Sequence, residues 1–179
     1  MEMGPRAILG FGDKGQIFSA NTDAYIIKKW DPNMKQAVLA IEKAYKPKLI
    51  SEEEIEGIVD DWHSRYREML PSLQDLITRD LIRKGWEGSG IKPVHQPLMG
   101  LIVLPDGHLL AVLPNFGEGR QEADLFDPDG KLIGTAINEY GGFWDTDGKP
   151  RMIFRGAYAY AMETVDGDHQ AVRYRYEVR

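Results

Sequence analysis

The sequence predicts a mainly β fold of repeated four-stranded antiparallel units, with an α-helical segment inserted after the first unit. Three observations predict it. The stretch 98–137, LMGLIVLPDGHLLAVLPNFGEGRQEADLFDPDGKLIGTAI, holds four short apolar runs separated by tight turns, with Asp106-Gly107 and Asp129-Gly130 as turn signals. Weaker copies of that pattern lie on both sides of it. Between Ser51 and Leu70 the apolar residues recur at helical spacing instead.

The first unit spans residues 6–45. Its strands are RAILGF, QIFSAN, AYIIKKW and QAVLAIEK, with turns at Asp13-Lys14-Gly15, at Thr22-Asp23 and from Asp31 to Lys35. The last of these turns carries the most specific match in the chain. Asp31-Pro32-x-x-Lys35 aligns with Asp127-Pro128-x-x-Lys131, each preceded by an aromatic, Trp30 or Phe126. Proline presets φ at the second turn position, and the aspartate before it can accept from the backbone ahead. Each copy therefore predicts a hairpin between third and fourth strands.

Residues 46–97 break the pattern. Ser51 with Glu54 reads as a capping box, and Glu52, Glu53 and Glu54 complement the positive end of the helix dipole. Ile55, Ile58, Val59, Trp62, Tyr66, Met69 and Leu70 then form an apolar face. Pro71 interrupts it. Leu73, Leu76, Ile77 and Leu81 predict a second helix ending near Gly85, with Trp86–Pro97 as a loop back to the strands.

The unit at 98–138 is complete, and an incomplete one follows at 139–179. After the glycine-rich EYGGFWDTDGKP come MIF, AYAYAMET and, past Asp166-Gly167-Asp168, AVRYRYEV. Tyr158, Tyr160, Tyr174 and Tyr176 alternate with period two, so they are expected on a face buried between units. Arg173 and Arg175 then face solvent or a partner. The turn glycines Gly107 and Gly156 lie 49 residues apart, and Gly15 lies 92 before Gly107. The surplus over one period is close to the length of the helical segment, which marks that segment as an insertion.

Composition narrows the classes of function. A chain of 179 residues, 42% hydrophobic, can bury a sizeable core, and a net charge of −6 gives no global field toward nucleic acid. The absence of cysteine excludes disulfides, thiolate zinc sites and cysteine nucleophiles. No apolar stretch approaches the roughly 18 residues of a membrane span, and MEMGPRAILGFG does not read as a signal peptide. The expected location is cytoplasmic if Met1 is the natural start, and periplasmic or extracellular if the chain is a fragment of a secreted protein.

His63, His95, His108 and His169 are scattered without ligand spacing, and each Asp-rich turn supplies too few oxygens for calcium. No G-x-S-x-G elbow occurs, and GFGDKG and GSG lack the strand-loop-helix setting of a phosphate loop. The expectation is therefore no metal and no cofactor.

Four-stranded units repeated at this period are how blades of a β-propeller look in sequence. The segments DGHLLAV, ADLFDPDGKLIG and FRGAYAYAMETVDGDHQAVRYRYEV resemble the closing three blades of six-bladed β-propellers of the NHL and TolB-like type. The helical stretch after YKP, beginning SEEEIEGI, is similar to an insertion in bacterial members of that group. The resemblance implies about three blades, with the ring completed by a second copy in a homodimer or by a missing N-terminal half. Members of the family include binding modules, scaffolds and some hydrolases, so architecture leaves function open.

In such a blade the loops between second and third strands share a face with the connections between blades. That topology gathers Trp86, His95, Glu118, Arg120 and Trp144 as candidate ligand-binding residues for a protein or small polar ligand. The favoured function is a non-enzymatic binding or assembly module. The second reading is a propeller-type hydrolase or lyase that acts on a small polar substrate in the central channel, with no catalytic residue assigned.

Overall fold

Alternation of apolar and polar residues, punctuated by Asp-Gly and Asp-Pro turns, sets the architecture. In the structure, a computed structural model, residues 6–33, 35–90, 94–114, 121–138, 142–143, 151–165 and 168–176 are described. They form three antiparallel sheets of four, four and three strands, and two α-helices. Contacts divide the chain into two units, Pro47–His95 and Pro5–Lys46 with Gln96–Arg179.

Sheet 1 is a meander of β1 (Ala7–Phe11), β2 (Ile17–Asn21), β3 (Ile26–Trp30) and β4 (Ala37–Glu42). Sheet 2 repeats it with β5 (Gly100–Val103), β6 (Leu109–Val112), β7 (Gln121–Phe126) and β8 (Leu132–Asn138). The repeat extends to register. Phe11 faces Ile17 and Ile17 faces Trp30, as Val103 faces Leu109 and Leu109 faces Phe126. A bulge falls in the same place in both, at Lys29/Trp30 and Leu125/Phe126. The matched turns also share their chemistry. Asp31 Oδ1 accepts from Lys35 N at 2.7 Å, and Asp127 Oδ1 accepts from Lys131 N at 2.8 Å.

Sheet 3 has β9 (Met152–Arg155), β10 (Tyr158–Val165) and β11 (Asp168–Arg175), ordered β11-β10-β9. His169 lies in β11 because the β10–β11 hairpin pairs as far as Val165 and Asp168. Of the turn expected at Asp166-Gly167-Asp168, residues 166–167 lie outside the described residues.

The three sheets stack in chain order. Ile8, Phe18, Ala20 and Ile27 of sheet 1 pack against Leu101, Leu109, Ala111 and Phe126 of sheet 2. The opposite face of sheet 2, with Ile102, Leu110, Val112 and Ala123, receives Met152, Phe154 and Tyr176 of the third segment. Side chains as fully buried as Ile27 and Leu109 contribute about 1.5–3 kcal/mol each. Gly10 permits the closest approach of β1 to β5, since a Cβ there would lie 3.0 Å from Leu101 Cβ.

One expectation about sheet 3 is corrected. Tyr158 and Tyr160 are not core: they stand 36% and 39% exposed, while Ala159 between them is buried. Ala159 pairs with Phe154 and Tyr174, so those three share the face toward sheet 2. The physical reason is turn length. Gly156-Ala157 make a two-residue turn, whereas residues 104–108 separate the paired Val103 and Leu109. Matching Gly156 to Gly107 therefore slips the register by one residue, and a one-residue slip exchanges the two faces of a strand.

The helical unit holds α1 (Glu52–Met69), a 3-10 turn at Pro71–Leu73 and α2 (Arg79–Gly88). The capping box forms as the spacing predicts: Ser51 N donates to Glu54 Oε2 at 2.8 Å and Glu54 N to Ser51 Oγ at 3.2 Å. The second helix starts later and ends later than expected, because Thr78 rather than a residue near Pro71 caps it and accepts from Leu81 N. Ile55, Val59, Ile82 and Trp86 form the unit's own core. No helix among the described residues is long and apolar enough to cross a membrane.

Candidate functional site

A sheet buries one face by packing on a neighbouring sheet, and among the described residues the two end sheets of the stack each keep one face on which no other sheet packs. On sheet 1 that outer face carries the odd-numbered residues of β1 and β2. Leu9 and Phe11 are 49% and 66% exposed, and Ile26 and Val38 are exposed beside them. Ile17 and Trp30 complete the patch, and Trp30 Nε1 donates to Ser19 Oγ at 2.7 Å across the same face. Lys28 and Glu42 are its charged members.

The outer face of sheet 3 is also apolar, but it is cationic. Ile153 and Met162 are 61% and 67% exposed and flank Tyr158 and Tyr160. Register sets Arg155 and Arg175 directly opposite Tyr158, and Arg173 opposite Tyr160. The Arg173 guanidinium carbon lies 4.7 Å from the Tyr158 ring centre, a cation–π contact. Exposed apolar patches of this kind mark interaction surfaces on soluble proteins.

Between sheets 1 and 2 the structure places a buried polar node that the sequence did not single out. Asp124 on β7 accepts from Tyr25 Oη at 2.5 Å and from Lys43 Nζ at 2.7 Å. Burial pushes the Tyr25 hydroxyl far above its ordinary pKa, and the hydrogen bond to Asp124 and that residue's charge push it further. The node is a lock between sheets, since the donors flank two strands of sheet 1, Tyr25 just before β3 and Lys43 just after β4, and the acceptor lies in sheet 2. The one sequence signal for it is Asp124 lying among Ala123, Leu125 and Phe126, the apolar half of β7.

Of the five residues expected to bind a ligand, Trp86 and His95 belong to the helical unit. Trp86 is in the last turn of α2 rather than in a loop, and it packs in the helical core. His95 Nε2 sits 3.2 Å from Glu54 Oε1, and His95 N donates to Lys48 O at 2.8 Å. Hydrogen bonds from the Ser51 backbone and hydroxyl hold the Glu54 carboxyl below its ordinary pKa. Glu118, Arg120 and Trp144 lie outside the described residues. Among the described residues, no three His, Asp or Glu side chains are grouped so as to hold a metal ion.

His108 Nδ1 lies 3.0 Å from Asp106 Oδ1, and His63 Nε2 meets the Ile77 carbonyl at 3.1 Å, so both serve local structure. No family model, curated protein or solved structure matches the chain.

Proposed function

We propose that the chain is a non-enzymatic assembly module: three blades of β-propeller type whose ring is completed by a second chain. The observation that carries this reading is the pair of uncovered apolar faces at the two ends of the stack. Within the chain every such face that has a neighbour is buried against it, as Leu101 and Leu109 are on one side of sheet 2 and Leu110 and Val112 on the other. The repeat in register, bulge and turn between sheets 1 and 2 supports equivalent blades. Light scattering on the full chain, from micromolar concentration upward, tests the reading. The expected result is a mass above the 20.3 kDa of one chain. A strict monomer across that range refutes it.

A further inference from the structure

The stack has a polarity, and that polarity says which uncovered face meets which. Align sheet 1 on sheet 2 by their shared register: Leu9 matches Leu101, Ile17 matches Leu109 and Trp30 matches Phe126. In sheet 2 those three residues form the face that receives the preceding sheet, and they are almost fully buried. The outer face of sheet 1 is therefore a receiving face on which, among the described residues, no sheet packs. The outer face of sheet 3 is the opposite kind, since its other face already packs on the sheet before it.

We infer that the second chain is another copy of this one, and that the outer face of sheet 1 in each copy receives the outer face of sheet 3 in the other. The inference rests on the assembly reading above and adds the occupant and the pairing. Two such contacts, related by a twofold axis, close six sheets into one ring.

Charge points the same way. Pairing two sheet 3 faces with each other would bring Arg155, Arg173 and Arg175 of both copies around one dry patch, like against like. Sheet 1 offers instead a face with one acid and one base, Glu42 and Lys28, against which the three arginines meet no array of their own sign. The approach of β1 to β5 at Gly10 and Leu101 gives the pattern for the contact. The strand carrying Leu9 in one copy lies beside the strand carrying Ile153 in the other.

The absence of cysteine makes the test direct. Leu9→Cys and Ile153→Cys are made as separate chains, both at exposed positions, so folding is retained and checked by circular dichroism. Each is treated with a short bis-maleimide alone, and then the two are treated as an exchanged mixture. The expected result is a covalent dimer in the mixture and in the Leu9→Cys/Ile153→Cys double variant, and none in either single variant. Self-crosslinking of either single variant would show like faces meeting and overturn the pairing, as would absence of product in the mixture. A wild-type mass that is neither one nor two chains overturns the two-copy ring. A monomeric wild type defeats the assembly reading itself, whereas a wild-type dimer with the wrong crosslinks defeats only the pairing.

Discussion

Gly130 is where the contact between the first two sheets is most exposed to a single methyl group. It closes the β7–β8 turn at φ +85°, with its N–H donating to Asp127 O at 2.9 Å. A Cβ built there would lie 2.6 Å from Leu39 Cδ2 and 3.1 Å from Ile41 Cγ1, both on β4 of sheet 1. Gly130→Ala therefore carries two costs. The left-handed backbone costs an L-residue about 1–2 kcal/mol. Forcing Leu39 and Ile41 aside adds about 1–3 kcal/mol of overpacking. Gly15 provides the control, because it has φ +77° and nothing within 4 Å of its own virtual Cβ. Gly15→Ala should cost only the backbone share. At about 2–4 °C per kcal/mol, Gly130→Ala lowers the melting temperature by about 4–20 °C, and the Gly15 variant by about 2–8 °C. Thermal melts of both variants, and of Gly130→Ala with Leu39→Ala, measure the difference. Leu39→Ala should bring the cost of the methyl at 130 closer to the backbone share. If Gly130→Ala costs no more than Gly15→Ala, the turn does not rest on β4 and the stacking of sheets 1 and 2 is wrong.

Two further outcomes follow from the polar groups. Because burial raises the Tyr25 pKa above the unfolded value, its contribution to stability is complete below about pH 10 and is lost as pH rises beyond it. Absorbance at 295 nm should show one tyrosine that ionises only with unfolding, and Tyr25→Phe should remove that coupling at a cost of about 1–3 kcal/mol for the donor lost to buried Asp124; a Tyr25 that titrates normally in the folded protein counts against the node. At the helical unit, Ser51→Ala removes one half of the capping box and should cost about 0.5–2 kcal/mol of helix stability. The lowered Glu54 pKa gives the box a stabilising share that is present above the ordinary glutamate range and lost as pH falls through the folded value. Acid titration followed at 222 nm should therefore show wild type losing more helix than Glu54→Gln, which has no carboxyl to protonate at that position. Equal losses would mean the cap does not form.

What the sequence disclosed depended on how locally each feature is determined. The Asp-Pro turns, the capping box and the four strands of sheet 2 are written in residues a few positions apart, and all were legible. The second helix was misplaced because Leu73, Leu76 and Ile77 keep an apolar period through a segment whose cap, Thr78, comes after them. The face of Tyr158 and Tyr160 was misread because period two shows that rings share a face of their strand but not which face it is, and Tyr174 pairs with Ala159 and not with a tyrosine. The node at Asp124 was invisible for a different reason. Its donors Tyr25 and Lys43 lie 99 and 81 residues away, and only the stacking of two sheets brings them together. Three of the five expected ligand residues fall outside the described part of the chain, so the loop face on which that expectation rested stands as sequence reasoning alone.

The helical unit offers the sharpest remaining test of how the chain is organised. Among the described residues, the buried core residues Ile55, Val59, Ile82 and Trp86 belong to Pro47–His95, and those of the two sheet cores belong to the other unit. The entry and exit of the helical unit are already side by side, since His95 N donates to Lys48 O at 2.8 Å and Leu49 bridges Val94. Adjacent antiparallel residues at that spacing can be joined by a two-residue turn. Replacing residues 49–94 with Asn-Gly should therefore leave the three sheets folded, with the circular dichroism signal of strands retained and that of helix gone. The closed loop removed is long, and loop-closure entropy grows only slowly with length, so the excision should shift the stability of the sheets by about 1–2 kcal/mol at most. Near-ultraviolet dichroism reports the packing, because Tyr25 and Phe126 sit in the retained core. A deletion variant that loses its strand signal would show that sheets 1 and 2 need the helices to hold together, and that the helical segment is part of the fold and not an insertion.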